Sequence, residues 1–177
     1  MVIEPEMTSS ALIELLHMLD KASIEMWLDG GWGVDALLKM QTRPHKDVDI
    51  ILRVSDVLEL HEILGRRGIA IKEGTPPNSF VLANVSGLEV DVHAVVFDDD
   101  GNGVYRMESG EDWIYPAEGF SGRGDVEGWS VDCLSPMTQV LCHAHGYMPT
   151  EKDFRDMELL QDRFGVELPQ QLKRNPT

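Results

Sequence analysis

The sequence predicts an α+β fold: a mixed sheet with helices packed on one face and a C-terminal helical segment. Three observations carry this. Apolar residues recur at helical spacing at both ends of the chain, and they alternate as in strands through its middle. Clusters of Gly, Pro, Asn and Asp separate the periodic stretches. The length of 177 residues fits one unit with a sizeable core. A core to about residue 107 and an extension over about 108–177 are expected.

The elements follow in order. Leu12, Leu15, Leu16 and Leu19 recur at helical spacing behind a Thr8-Ser9-Ser10 cap, predicting a helix to Ser23. Ile24 to Leu28 is a short apolar stretch, followed by Asp29-Gly30-Gly31 and a second helical pattern over Trp32 to Met40. Gln41 to Lys46 reads as a polar loop around Pro44, and Asp47 to Val54 alternates as a strand. Ser55 is placed to cap a helix through Leu58, Ile63 and Leu64 that ends at Gly68. Ile69–Glu73, Phe80–Val85 and Leu88–Phe97 read as strands, with a hairpin turn over Asp98 to Gly103. The stretch to Gly128 reads as less regular, Gly122-Arg123-Gly124 within it as a plain loop. Trp129–Leu134 is one more strand candidate. Ser135-Pro136 is a helix start, because proline is tolerated at the first helical position. A last helix runs from near Thr150 to Gly165.

Composition excludes several classes. The hydrophobic fraction of 42% and charged fraction of 26% are those of a globular chain, not a disordered one. No apolar run approaches the roughly 18 residues of a membrane span, and an acidic MVIEPEM opening stands in place of a signal peptide. Two cysteines, Cys133 and Cys142, form no C-x-x-C motif and suit a reducing, cytoplasmic setting. The net charge of −16 disfavours long nucleic acid as a partner and suits a cationic small molecule.

Asp47-Val48-Asp49 is the sharpest local feature. Residues two apart on a strand share a face. Asp47 and Asp49 therefore point one way, while Val48, Ile50 and Leu52 point into the helical layer. The strand from Leu88 to Val96 repeats the pattern, with Glu89, Asp91 and His93 opposite Val90, Val92, Ala94 and Val96. If the two strands are neighbours, Asp47, Asp49 and Asp91 converge. Clustered carboxylates repel one another unless cations neutralise them, and Mg²⁺ prefers oxygen ligands and phosphate. Two such ions would serve a displacement at phosphorus. The strand-Gly-Gly-helix segment at Gly30 and Gly31 allows close backbone approach and aims free amides at an anion. Arg43 and His45 sit on the next loop, within reach of phosphate oxygens.

Trp27-Leu28-Asp29-Gly30-Gly31-Trp32-Gly33-Val34-Asp35, followed by Arg43-Pro44-His45-Lys46-Asp47-Val48-Asp49, resembles the lincosamide nucleotidyltransferases of the polymerase-β-type superfamily. The related aminoglycoside 2''-nucleotidyltransferases share the Gly-Gly-Trp and Arg-x-His-x-Asp-x-Asp pattern. The likeness continues through Val90-Asp91-Val92-His93, the Asp-Asp-Gly turn, His143-x-x-Gly-Tyr, and Asp153 and Asp156. It implies a polymerase-β-like nucleotidyltransferase fold and transfer of a nucleoside monophosphate, AMP from ATP, to a hydroxyl of a small molecule. A lincosamide is the first expected acceptor and an aminoglycoside the second. A regulatory nucleotide-binding module and a toxin-like nucleotidyltransferase are the alternatives of other classes.

By position, the likeness places two Mg²⁺ ions on Asp47, Asp49 and Asp91. It leaves Asp91 or Glu89 as the base, Gly30 and Gly31 around the triphosphate, and Arg43, His45 and Lys152 near phosphate. A homodimer is implied by the family alone. Trp113, Tyr115, Trp129 and Asp112 are candidates for an acceptor pocket or for the core. Asp98-x-Asp100-x-Asn102-Gly103 imitates a calcium loop, but Ser109 stands where the loop needs glutamate, so it reads as a turn. His143-x-His145 does not have the spacing of a zinc pair.

Overall fold

The computed structural model describes residues 6–145 and 147–174. The remaining residues lie outside the described ones, including most of the acidic opening and Gly146 of the His-x-x-Gly-Tyr run. The chain starts with α1 (Ser9–Lys21), whose first turn is capped by the Thr8 hydroxyl accepting from the Ala11 amide at 3.2 Å. β1 (Met26–Asp29) runs directly into α2 (Gly30–Leu38), and β2 (Val48–Arg53) follows the polar loop. Next come α3 (Val57–Gly65), β3 (Ala70–Thr75), β4 (Ser79–Ala83) and β5 (Glu89–Phe97). The hairpin β6 (Gly103–Arg106) and β7 (Asp112–Tyr115) leads to a 3-10 turn at Ala117–Ser121. A second hairpin, β8 (Gly122–Val126) and β9 (Trp129–Cys133), precedes α4 (Pro136–Ala144) and α5 (Glu151–Phe164).

The described strands form one mixed sheet in the order β3-β4-β5-β2-β1-β9-β8, with the β6–β7 hairpin attached to β5. β2 runs parallel to β5 and antiparallel to β1, and β1 meets β9 in parallel. One face carries Val48, Ile50 and Leu52 of β2 and Val90, Val92 and Ala94 of β5. Against it pack Leu12, Leu15 and Leu19 of α1, Leu60 and Leu64 of α3, and Met157 and Leu160 of α5. The other face holds a smaller core of Trp27, Ile51, Val95, Tyr105, Tyr115 and Leu134. No helix among the described residues is long and apolar enough to cross a membrane.

Three local expectations are corrected. The stretch read as irregular up to Gly128 contains β6, β7 and β8, and Gly122-Arg123-Gly124 is strand, not loop. Its glycines disguise it: a Cβ on Gly124 would sit 2.6 Å from the Ala36 backbone carbon, so only glycine lets α2 lie on β8. Ser55 does not cap α3. It lies in a 3-10 turn over Val54–Asp56 and donates its hydroxyl to the Asp56 carboxylate. β2 begins at Val48, which leaves Asp47 just outside the strand and exposed.

Candidate active site

The second face of the sheet changes character along its strands. In register, Asp29 of β1 lies opposite Asp49 of β2, and Asp49 lies beside Asp91 of β5. The next row on that face is Trp27, Ile51 and His93. Residues in register share a face, so three adjacent strands place three carboxylates in one line, with two apolar side chains and the His93 imidazole behind them. A cleft of about 700 Å³ opens over Asp29, Asp49 and His93, with Asp91 beside it. Asp47 stands at its mouth, and Gly30 and Gly31 form part of its wall.

Asp49, Asp91 and His93 bring one ligand atom each within 4.8 Å of one another. Burial favours the protonated form of Asp49, and although His93 opposes this, the charges of Asp29, Asp47 and Asp91 add to it, so its pKa rises. Burial works against a charged His93. The hydrogen bond and charge of Asp91, with the charges of Asp49 and Asp29, outweigh it and raise the imidazole pKa. His93 Nε2 lies 3.5 Å from Asp91, its Nδ1 lies 3.9 Å from Asp29 and 3.4 Å from the Tyr115 hydroxyl, and its ring stacks on Tyr105. The oxygen-rich donor set of Asp49 and Asp91, with Asp47 at the mouth, fits a hard cation such as Mg²⁺.

The glycines are explained by contact. Gly30 has φ of +57°, and a Cβ there would meet Asp49 Oδ2 at 2.2 Å. At Gly31 a Cβ would meet the Arg43 Nη2 at 2.5 Å and His45 Nδ1 at 2.6 Å. The Asp29 carboxylate accepts the Gly30 amide at 2.7 Å as the cap of α2. The other first-turn amides of the helix suit an anion.

Arg43 and His45 are less free than the sequence suggests. Arg43 Nη2 donates to Asp156 Oδ2 at 2.7 Å, and its Nε donates to both Asp156 oxygens at 3.2 Å. Arg43 Nη1 lies 3.1 Å from His45 Nδ1, and because a guanidinium only donates, Nδ1 must accept. The proton of His45 therefore sits on Nε2, which donates to Asp35 Oδ2 at 2.6 Å. Asp35 also accepts the Thr42 amide and hydroxyl. This chain of contacts ties the loop before β2 to α2 and α5. Lys46 and Lys152 line the same cleft and have no ion pair among the described residues.

Glu89 is bound by Lys72 of β3 and faces Ala83, two residues along the strand from the line of carboxylates. Trp113 and Tyr115 do line the cleft, together with Tyr105 and Met107. Two other acceptor-pocket candidates do not. Trp129 packs its ring 4.1 Å from that of His17 near the far edge of the sheet, and Asp112 pairs with Arg106. The sequence reading missed Asp29, His93, Lys46 and Tyr105 as site residues. The sequence reading ended the apolar stretch at Leu28, whereas β1 includes Asp29 on the face of Trp27, and the pairing of β1 with β2 brings it to Asp49.

A mixed sheet that aligns carboxylates beside a Gly-Gly helix start defines a nucleotidyltransferase of the polymerase-β type. Known proteins narrow the class. The family model of aminoglycoside-2''-adenylyltransferase matches residues 11–160, and the chain belongs to that family. A lincosamide resistance protein of Staphylococcus haemolyticus is 29% identical over 154 residues, which span 87% of this chain and 94% of that one. A lincosamide antibiotic adenylyltransferase, solved with lincomycin bound, is 28% identical with a TM-score of 0.77, over 88% of this chain and 98% of its own. An aminoglycoside enzyme, ANT(2'')-Ia in complex with adenylyl-2''-tobramycin, has a TM-score of 0.69 at 21% identity, over 89% of each chain, and shares the fold.

Proposed function

We propose that this protein transfers AMP from ATP to a hydroxyl of a lincosamide, in a Mg²⁺-dependent reaction that releases pyrophosphate. The observation that carries the reading is the line Asp29–Asp49–Asp91, of which Asp29 and Asp49 face a cleft that also holds the Gly30-Gly31 turn and an aromatic wall, with Asp91 beside Asp49. The likeness to lincosamide enzymes over nearly the whole chain supports the acceptor class.

Asp49 and Asp91 would hold the metal, with Asp47 completing the set from the mouth of β2. Bound Mg²⁺ supplies charge neutralisation on the triphosphate and polarises the attacking and leaving oxygens. The chain's own groups do the rest. The amides at the start of α2 cradle the triphosphate, and Lys46 and Lys152 meet its outer oxygens. Arg43 shapes that wall from its pairing with Asp156, held by His45. As the acceptor oxygen bonds to the α-phosphorus, its proton passes to Asp91 and the bond from phosphorus to pyrophosphate breaks. Asp91 suits this role better than Glu89, which Lys72 already neutralises. In-line transfer depends mostly on positioning and electrostatics, which this rigid sheet row provides.

The test is pyrophosphate release from each of the four common triphosphates, with Mg²⁺, in the presence of lincomycin, clindamycin or a panel of aminoglycosides. Release that requires ATP and a lincosamide is the expected result. Release that requires an aminoglycoside instead would move the acceptor to the other branch of the family. Triphosphate binding without drug-stimulated release would remove the antibiotic reading, and no binding at all would remove the transferase. The reading places the enzyme in the cytoplasm, where ATP is available, and sedimentation tests the homodimer implied by the family.

A further inference from the structure

Resting on the acceptor reading above, we infer that Asp29 is a specificity residue that receives a protonated amine of the acceptor, against the aromatic wall of the cleft. The metal and triphosphate account for Asp47, Asp49 and Asp91, but they leave Asp29 without a role beyond capping. Its side chain is only 8% exposed. Oδ1 is used by the Gly30 amide, whereas Oδ2 has no hydrogen bond among the described residues, its closest cationic partner being His93 Nδ1 at 3.9 Å. A carboxylate oxygen that faces the cleft from a largely buried side chain, without a hydrogen-bond donor, suits a ligand that brings one, and a charged donor satisfies it best.

The surroundings select the kind of donor. Asp29 shares the cleft with Tyr105, Trp113 and Tyr115, whose ring faces attract ammonium groups. Its negative charge reaches this wall: burial first, and then Asp29, hold the Tyr115 phenol well above its ordinary pKa. On this side the cationic group is His93, stacked on Tyr105 and 3.9 Å from Asp29, whereas the lysines and Arg43 stand elsewhere. Lys152 lies on α5 one turn before Asp156, the partner of Arg43, and Lys46 lies on the loop before β2. The cleft is therefore bipolar, with a basic wall for the triphosphate and an acidic, aromatic wall on the β6–β7 side. The net charge of −16 would draw a cation toward that second wall.

Asp29→Asn isolates the charge, because asparagine keeps the acceptor that caps α2. The measurement is a double-mutant cycle between this substitution and the acceptor's amine. One acceptor is lincomycin, whose pyrrolidine nitrogen is protonated at neutral pH. The other is its N-demethyl, N-acetyl derivative, neutral at that nitrogen. The wild type should lose roughly 10- to 100-fold in acceptor affinity when the amine is neutralised, and Asp29→Asn should lose as much with lincomycin. The two losses should not add. Additive losses would overturn the inference, as would an Asp29→Asn enzyme with weakened binding of a non-hydrolysable ATP analogue, which would assign the carboxylate to the nucleotide.

The bare cation N-methylpyrrolidinium separates this inference from the choice of drug. Saturable shifts of the Trp113 and Tyr115 resonances in the wild type, weakened at least tenfold in Asp29→Asn, are the expected result. Where lincomycin is not turned over but these shifts persist, the acceptor reading fails and the ammonium subsite stands. Absence of saturable shifts in the wild type would overturn the subsite.

Discussion

Asp49 sits at the centre of the carboxylate line, flanked by Asp29 and Asp91, with Gly30 against its Oδ2. Replacing it by asparagine keeps the volume and removes the charge. Asp49→Asn is expected to lower transfer by roughly 100-fold or more while the far-UV circular dichroism stays that of the native protein. Retained turnover would sink the metal assignment. Gly30→Ala tests the same point from the backbone. A left-handed φ strains any β-carbon by about 1–2 kcal/mol, and here the new atom also displaces the Asp49 carboxylate. Its expected signature is a loss of activity of at least about tenfold, on the scale of a misplaced reacting group, with weakened metal binding, seen as reduced Mn²⁺ affinity by electron paramagnetic resonance.

Two contacts hold the elements around the cleft. Arg43 and Asp156 join the loop before β2 to α5, with Asp156 buried. Asp156→Ala leaves the guanidinium unpaired in that partly buried place, and a destabilisation of about 3 kcal/mol is expected in urea denaturation. At the start of α5, Asp153 accepts the Thr150 amide at 2.7 Å and the Thr150 hydroxyl at 2.6 Å. Burial raises the pKa of Asp153, but the Thr150 bonds, the charge of His143 and the Tyr147 hydroxyl outweigh it and hold it below the ordinary 3.8. A carboxyl depressed on folding binds fewer protons in the folded state than in the unfolded one. Its contribution is therefore complete above about pH 4, the unfolded carboxylate range, and disappears as pH falls through the lower folded value. The stability gap between wild type and Asp153→Asn should accordingly shrink between pH 5 and the acid limit, by about the value of that contribution. A gap that stays constant over that range would contradict the assignment.

The segments before and after residue 107 share one sheet and one core at the scale of the whole molecule. β9 lies beside β1, and Met157 and Leu160 of α5 pack in the cluster that contains Leu12 and Leu60. A single cooperative unfolding transition is expected, with tryptophan fluorescence and far-UV circular dichroism coinciding. Leu160→Ala should lower the midpoint of that one transition, with a loss of about 2–5 kcal/mol, and should not split it. The acidic surface and the bipolar cleft also belong to this scale. Charges distributed over the chain set the field that would steer the proposed cationic acceptor, while only a few of them would touch it.

Much of the site was legible because short-range geometry determines it. Strand period alone put Asp47 and Asp49, or Glu89, Asp91 and His93, on common faces. The glycine pair announced a backbone approach before its partner, the Asp49 carboxylate, was known. Helix caps at Thr8, Ser135 and Thr150 were readable for the same reason, since each acts within four residues. Tertiary structure alone decided the rest. That β1 pairs with β2, and β2 with β5, turned scattered aspartates into one line that includes Asp29. Packing, not local propensity, made Gly122 to Val126 a strand, and the fold gave Arg43 to Asp156 across more than a hundred residues. Alternation and capping are properties of neighbouring residues, whereas register, crossing and long-range ion pairs exist only once distant segments share a core.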